Sequence, residues 1–470
     1  MSRILAIRAA DSVLSTAHGE PGEEMTISGT ARALSALLVS LRIVALLASL
    51  VVLVPLLRGE PLAVTQLIEM PRSVSGIITT STTTGTGTVT STTDEAGPVG
   101  RPQLRRRLQG LLAHHTSLAV RFMRSTVSED PGFVDAANAV LVRNAGDLET
   151  ALAGVVDGDD AARFTQDWSD QTQMLFAYAT ALRDGDDTAR ESAREQLKAS
   201  VDEQATVIAE LTDGLFAHDM AATSLQMRID LLLYQIDAYA RADYDQAYEL
   251  SREVYAHAFP FASALAAGAT GHQPGDGSAR EELNADLARI LGEHAELSID
   301  ALRAGVTGSD EFTAAAAALD ANSQDFADVL DGLFGSERAQ KVTRGWATHV
   351  DLSVRYAVAV AEHDNAERRQ IRDHMRKTSG RTGRALAKTA RGVLHGPTVA
   401  DALRSHDVLV LDQIEAYAHG DHAASHDIAY AAHGQMHSLA RMLAKAFMQV
   451  ARTSMPQGGA ETGGGGTAGG

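Results

Sequence analysis

The sequence predicts an all-α protein: an N-terminal membrane helix, a threonine-rich linker and two tandem bundles of about six helices each. Three observations carry that prediction. Gln413-Ile414-Glu415-Ala416-Tyr417-Ala418 repeats, 178 residues further on, the stretch Gln235-Ile236-Asp237-Ala238-Tyr239-Ala240. Leucines recur at i, i+4 through Leu104, Leu108 and Leu112, as one buried helix face requires. Ala and Leu dominate a chain with 5% aromatic residues, and between Pro131 and Pro397 proline occurs only at Pro260 and Pro274.

Residues 1–31 form a tail that the positive-inside tendency places in the cytoplasm, given Arg32 and Arg42 just before the apolar run. The segment 32–57 is apolar from Ile43 and long enough to cross a bilayer, with Arg42 able to snorkel to the headgroups. It reads as an uncleaved signal-anchor, with secretion after signal cleavage as the alternative, because Pro61-Leu62-Ala63 is a poor cleavage site. A start at Met25 would give a more conventional export signal. The linker 58–103 includes the low-complexity run Ile77 to Thr93, and the glycine-rich tail 455–470 is of the same solvated kind.

Between them lie repeat 1 at 104–270 and repeat 2 at 281–450. Their alignment needs one single-residue gap and pairs His115 with His294, Phe133 with Phe312, Asn144 with Asn322, Trp168 with Trp346 and Tyr178 with Tyr356. Breaks at Gly308-Ser309-Asp310, Gly335-Ser336, His363-Asp364-Asn365, Gly396-Pro397 and Gly420-Asp421 cut repeat 2 into six helices. Pro397 sits where a first-turn proline belongs and Asp421 where an N-cap belongs. Three αα-hairpins, or a four-helix bundle with two flanking helices, both satisfy this pattern.

Composition narrows function by exclusion. A net charge of -19 argues against nucleic-acid binding. The absence of cysteine removes disulfides, thiolate metal sites and cysteine nucleophiles. Neither Glu-x-x-His nor His-Glu-x-x-His occurs, so nothing specifies a di-iron or metalloprotease centre, and an enzyme is the reading with least support.

The histidines of repeat 2 are the candidate ligands. His294, His349 and His406 lie mid-helix on the first, third and fifth helices, where imidazoles from different helices of a bundle can converge on a transition metal. Glu293, Asp351 and Asp407 stand beside them. On the last helix His422, His426, Tyr430, His433 and His437 form a boundary stripe, and His433 with His437 can chelate one ion at i, i+4. Repeat 1 carries Tyr244, Tyr248, Arg252, Tyr255 and Phe259 along that stripe, Gln171 for His349 and Arg228 for His406. Under the metal reading His115 and His257 are degenerate counterparts; under the packing reading the stripe simply accepts any flat ring.

Trp346-x-x-His349 and the closing His433-x-x-Met436 region resemble a group of uncharacterised exported helical-bundle proteins of Gram-positive bacteria. The resemblance implies an extracytoplasmic bundle and no particular activity. In the fourth helix of repeat 2, Arg369, Arg372, Arg376, Arg384, Lys388 and Arg391 could meet cell-wall or lipid polyanions, against a solvated face paired with acidic neighbours. The sequence therefore predicts a membrane-anchored, extracytoplasmic binding or structural module. The alternative is a binder or buffer of Zn, Cu or Ni through His294, His349, His406, His433 and His437.

Overall fold

The computed structural model describes residues 100–454 apart from Glu129 and Asp276. The tail 1–31, the expected membrane segment 32–57, nearly all of the linker and the tail 455–470 lie outside the described residues. Among the described residues there are twelve helices and no strand. The protein is an all-α helical bundle. None of these helices is long and apolar enough to cross a membrane.

The first six are α1 (Arg101–Val127), α2 (Pro131–Leu152), α3 (Gly158–Asp184), α4 (Asp187–Leu211), α5 (His218–Ala240) and α6 (Tyr244–Ala269). The second six are α7 (Ala279–Thr307), α8 (Phe312–Phe334), α9 (Ser336–Ala361), α10 (Asn365–Thr389), α11 (Gly396–Ala418) and α12 (His422–Ser454). Short polar side chains fix most of the starts. Asp130, Asp157, Asp186, Asp243 and Asp364 each accept a first-turn backbone N–H, and Ser278 with Glu281 closes a capping box on α7. Asp421 accepts from the Ala424 N–H, and Pro397 lies in the first turn of α11. At the front, Arg101 already belongs to α1 with Pro102 in its first turn, so the helix begins inside the expected linker.

Each set of six has a hub. Helix α1 packs on α2, α3, α5 and α6, and α7 packs in the same pattern on α8, α9, α11 and α12. Every residue of α7 from Ile290 to Gly305 except Asp300 is buried, and every residue of α1 from Leu112 to Thr126 except Ser117. Helices covered on all sides this way are core elements, not amphipathic surface helices. Neither topology expected from sequence includes such a hub, because periodicity along one helix cannot show how many neighbours surround it.

Matched positions do matched work. Asn144 donates to the Leu111 carbonyl and Asn322 to that of Ile290, so each ties a second helix to its hub. Tyr178 donates to Asp237 and receives Arg194; Tyr356 donates to Glu415 and receives Arg372. The acidic member of each duplicated hexapeptide thus anchors a third-helix tyrosine and a fourth-helix arginine.

The two sets meet through α1 on α7, α6 on α8 and α12 on α2. The stripe of the last helix lies in this contact. Tyr430 donates to Asp147, while at the matched place Arg252 pairs with Asp325 at 2.8 Å and with Glu293 at 3.1 Å. His426 is buried against Phe133, the His437 ring stacks on Phe259, and Tyr255 and His433 bond each other at 3.0 Å. What the sequence presents as a boundary stripe is the seam between the two sets. Gly292 lets the seam close: a Cβ there would come within 2.4 Å of the Tyr255 hydroxyl.

Candidate metal centre

Helices α7, α9 and α11 bring His294, His349 and His406 together in the core of the second set. One ring nitrogen from each lies within 4.8 Å of the others, and all three side chains are buried. The closest approach is 3.3 Å, between His294 Nε2 and His349 Nε2. Four ligands held about 2.05 Å from a tetrahedral ion stand roughly 3.3 Å apart, so this spacing suits ligands of one ion.

The hydrogen-bond inventory is incomplete in the same place. His406 finds no partner for either ring nitrogen, and His294 finds none for Nδ1, although all three atoms are buried. Burial pushes the His294 imidazolium well below its ordinary range, with His349 and His406 adding to the effect. His406 is pushed down to about 3 by burial and then by His349, against a smaller upward pull from Asp407. Both rings are neutral at physiological pH and offer lone pairs. Trp346 covers the His294 ring at 4.5 Å between centroids.

Around these rings sits a supporting layer. Asp407 Oδ1 lies 2.9 Å from His349 Nδ1, and Ser379 donates to the second oxygen of the same carboxylate. A carboxylate on Nδ1–H fixes the tautomer that leaves Nε2 as the free lone pair, facing His294. Beyond lies a cleft of about 10 Å³ lined by His349, His406, Thr378, Ser379 and Thr382. That is room for about one water, and Thr382 Oγ1 there is buried without a partner.

The five expected ligands do not form one centre. His433 stands at the seam with His114 and Glu296, a second group whose ligand atoms lie within 4.8 Å of one another. The His437 ring lies tilted against that of His433, at 4.5 Å between centroids. His114 Nδ1 meets Glu296 Oε1 at 2.7 Å, and Arg121 meets the other oxygen at 2.5 Å. Glu296, though buried, is held well below the carboxylate range, because Arg121, then His114 and His433, outweigh desolvation. This carboxylate is already neutralised by an arginine, unlike the histidine-only group in the core. His433 and His437 are separated from the others because a helix-surface stripe displaced from the core line must face a neighbouring unit.

Of the neighbouring acids, only Asp407 joins the core group. Glu293 is committed to Arg252 and Asn322. His114 and Glu296 escape a sequence reading, since their partners arrive from α7 and α12. Among the basic residues of α10, Arg372 points inward to Tyr356 and Asp412, and Arg376 pairs with Asp373. Arg369, Arg384 and Lys388 are exposed, as is Arg391, which lies past the end of α10 at positive φ and not on the helix as the sequence suggests.

The matched region of the first set is built differently. His115 bonds Asn144 at 3.1 Å and Thr172 at 3.2 Å. Arg228 reaches Gln171 Oε1 at 3.3 Å and lies over the Trp168 ring at 4.3 Å. Gln171 in turn donates to Gln204 at 2.6 Å. His257 stands apart, bonded to Ser224 at 3.1 Å. At the positions of Asp407 and Ser379 the first set has Ile229 and Val201.

No protein family, curated protein or solved structure matches the chain. The likeness to exported bacterial bundles therefore rests on the quoted residues alone.

Proposed function

We propose that the chain is a tandem duplication acting as a membrane-anchored, extracytoplasmic binding module, and that its second half binds one transition-metal ion through His294, His349 and His406. The carrying observation is the convergence of three buried imidazoles in which three ring nitrogens lack any partner. Packing alone leaves those groups desolvated at about 1–3 kcal/mol each. An ion held by His294 Nε2, His349 Nε2 and one nitrogen of His406 would engage one of those unpartnered atoms and take the place of the His294–His349 contact. Neutral imidazoles suit Zn, Cu or Ni, and the absence of thiolates disfavours softer ions. Asp407 would orient His349, and the small cleft beside Thr382 would admit one water-sized fourth ligand. A storage, buffering or sensing role follows more directly than catalysis, because the cleft has no room for a substrate beside the ion.

The test is metal content by mass spectrometry on the full chain purified without a histidine tag. One equivalent of Zn, Cu or Ni is expected, and none in the His294→Ala, His406→Ala double variant. If the parent stays empty after loading with each ion, the histidines are packing residues.

A further inference from the structure

The C-terminal ends of α1 and α7 flank a cleft of about 100 Å³ at the seam, away from the histidine core. Its mouth lies at Ser128 and Thr307, both exposed, and its walls include the duplicated tyrosines Tyr239 and Tyr417. Two arginines in matched positions face it. Arg124 lies over Tyr248 at 4.3 Å and Tyr239 at 5.0 Å; Arg303 lies over Phe133 at 4.5 Å and Tyr417 at 5.3 Å. Among the described residues neither has a carboxylate within ion-pair distance.

Arg124 is satisfied by neutral acceptors: Gln235, the Ala247 carbonyl and Ser251. Arg303 is not. It is 7% exposed, makes one hydrogen bond to Ser425 at 3.2 Å, and leaves Nε and Nη1 buried without a partner. Each acid lining the cleft has a hydrogen-bonding partner, although only Asp300 is paired with a cation. Asp300 is taken by Arg121 at 2.6 Å, Glu311 receives Tyr248 at 3.1 Å and Tyr239 at 3.4 Å, and Asp130 caps α2. A guanidinium always carries its charge, so a buried one with two unused donors is a costly feature unless something fills them.

We propose that this cleft binds a small oxyanion, a short carboxylate or a phosphate, received by the under-used guanidinium of Arg303 and bounded by the aromatic rings of Tyr239 and Tyr417. Each edge of the guanidinium pairs one of the unused donors with the second N–H of Nη2, and such an edge matches two oxygens of either group. The cleft's size limits the ligand to a few non-hydrogen atoms. Because the site lies in the seam, an occupant would touch residues from both helix sets at once, and binding would tighten their contact.

Isothermal titration of the full chain with inorganic phosphate and, separately, with acetate tests this. Saturable one-to-one binding of either probe is expected, and the tighter of the two names the source. Arg303→Met should weaken it about 10- to 100-fold, and Arg303→Lys, which keeps the charge but loses the fork, about tenfold. Without anion the Met variant should melt no lower than the parent, since it removes an uncompensated buried charge. If Arg303→Met fails to fold, the Lys variant decides alone. No binding of either probe at millimolar concentration, or affinity unchanged in the folded variants, overturns the proposal. The His294→Ala, His406→Ala variant should bind the anion like the parent, so this result is independent of the metal reading.

Discussion

In the first set of helices Arg228 supplies a fixed positive charge beside His115 and Gln171; in the second, His406 stands at that position and supplies a lone pair beside His294 and His349. The surroundings differ in step. Where His349 must be held in one tautomer, Asp407 and Ser379 are present; where Gln171 needs no such support, Ile229 and Val201 fill the space. Asp407 gives the buried His349 Nδ1–H its acceptor, whereas nothing plays that part for either nitrogen of His406. One helix set therefore carries a built-in cation where the other carries neutral imidazoles without hydrogen-bond partners.

The sharpest way to break this contrast is to transplant it. Gln171→His, Arg228→His and Ile229→Asp together should raise the bound metal from one equivalent to two, measured by mass spectrometry after equilibrium dialysis. A count that stays at one would mean that the backbone spacing of the second set, beyond its ligand types, makes the site. A smaller effect separates the orienting layer from the ligands. Asp407→Asn should cost about 10- to 100-fold in metal affinity, read by competition with a chromophoric chelator, while leaving one equivalent bound at saturation. Ile229→Asn in the first set should leave that affinity unchanged.

The gentlest probe is acid. Burial, and then Arg228, push His115 down to about 3, below its ordinary 6.5. A histidine depressed in the folded state contributes stability that is fully present above pH 6.5 and is lost as pH falls towards 3, because the unfolded chain takes up the proton more readily. Within that window the unfolding free energy should fall by about 1.4 kcal/mol per pH unit for this one group. Replacing His115 by Asn should remove that share of the slope in urea titrations. A slope unchanged in the variant would show that His115 does not titrate against the fold.

Much of the fold was legible in the letters. The leucine ladder marks one buried face of α1 and of α7, though not that these helices are covered on all sides, and Asp421, Pro397 and the glycine breaks mark helix ends that the backbone respects. Three of the five proposed ligands meet because mid-helix positions on first, third and fifth helices fall at one depth. His433 and His437 do not join them, since periodicity reports that a stripe exists and not what covers it. The partners of that stripe are Tyr255, Phe259 and His114, each far away in sequence. Arg124 and Arg303 were illegible for the related reason that an arginine is normally expected at a surface, and only coordinates show one buried without a counter-charge.

The seam also has a temporal meaning. Helix α2 packs on α12, whose synthesis finishes about 185 residues after that of α6. At ~5–20 residues per second the N-terminal half waits roughly 10–40 s on the ribosome with Phe133, Tyr255 and the Arg124 face uncovered. A neighbouring nascent chain on the same message offers the same complementary face. Exchanged dimers, in which each copy's first half closes on the other's second half, are the characteristic assembly error that this architecture exposes.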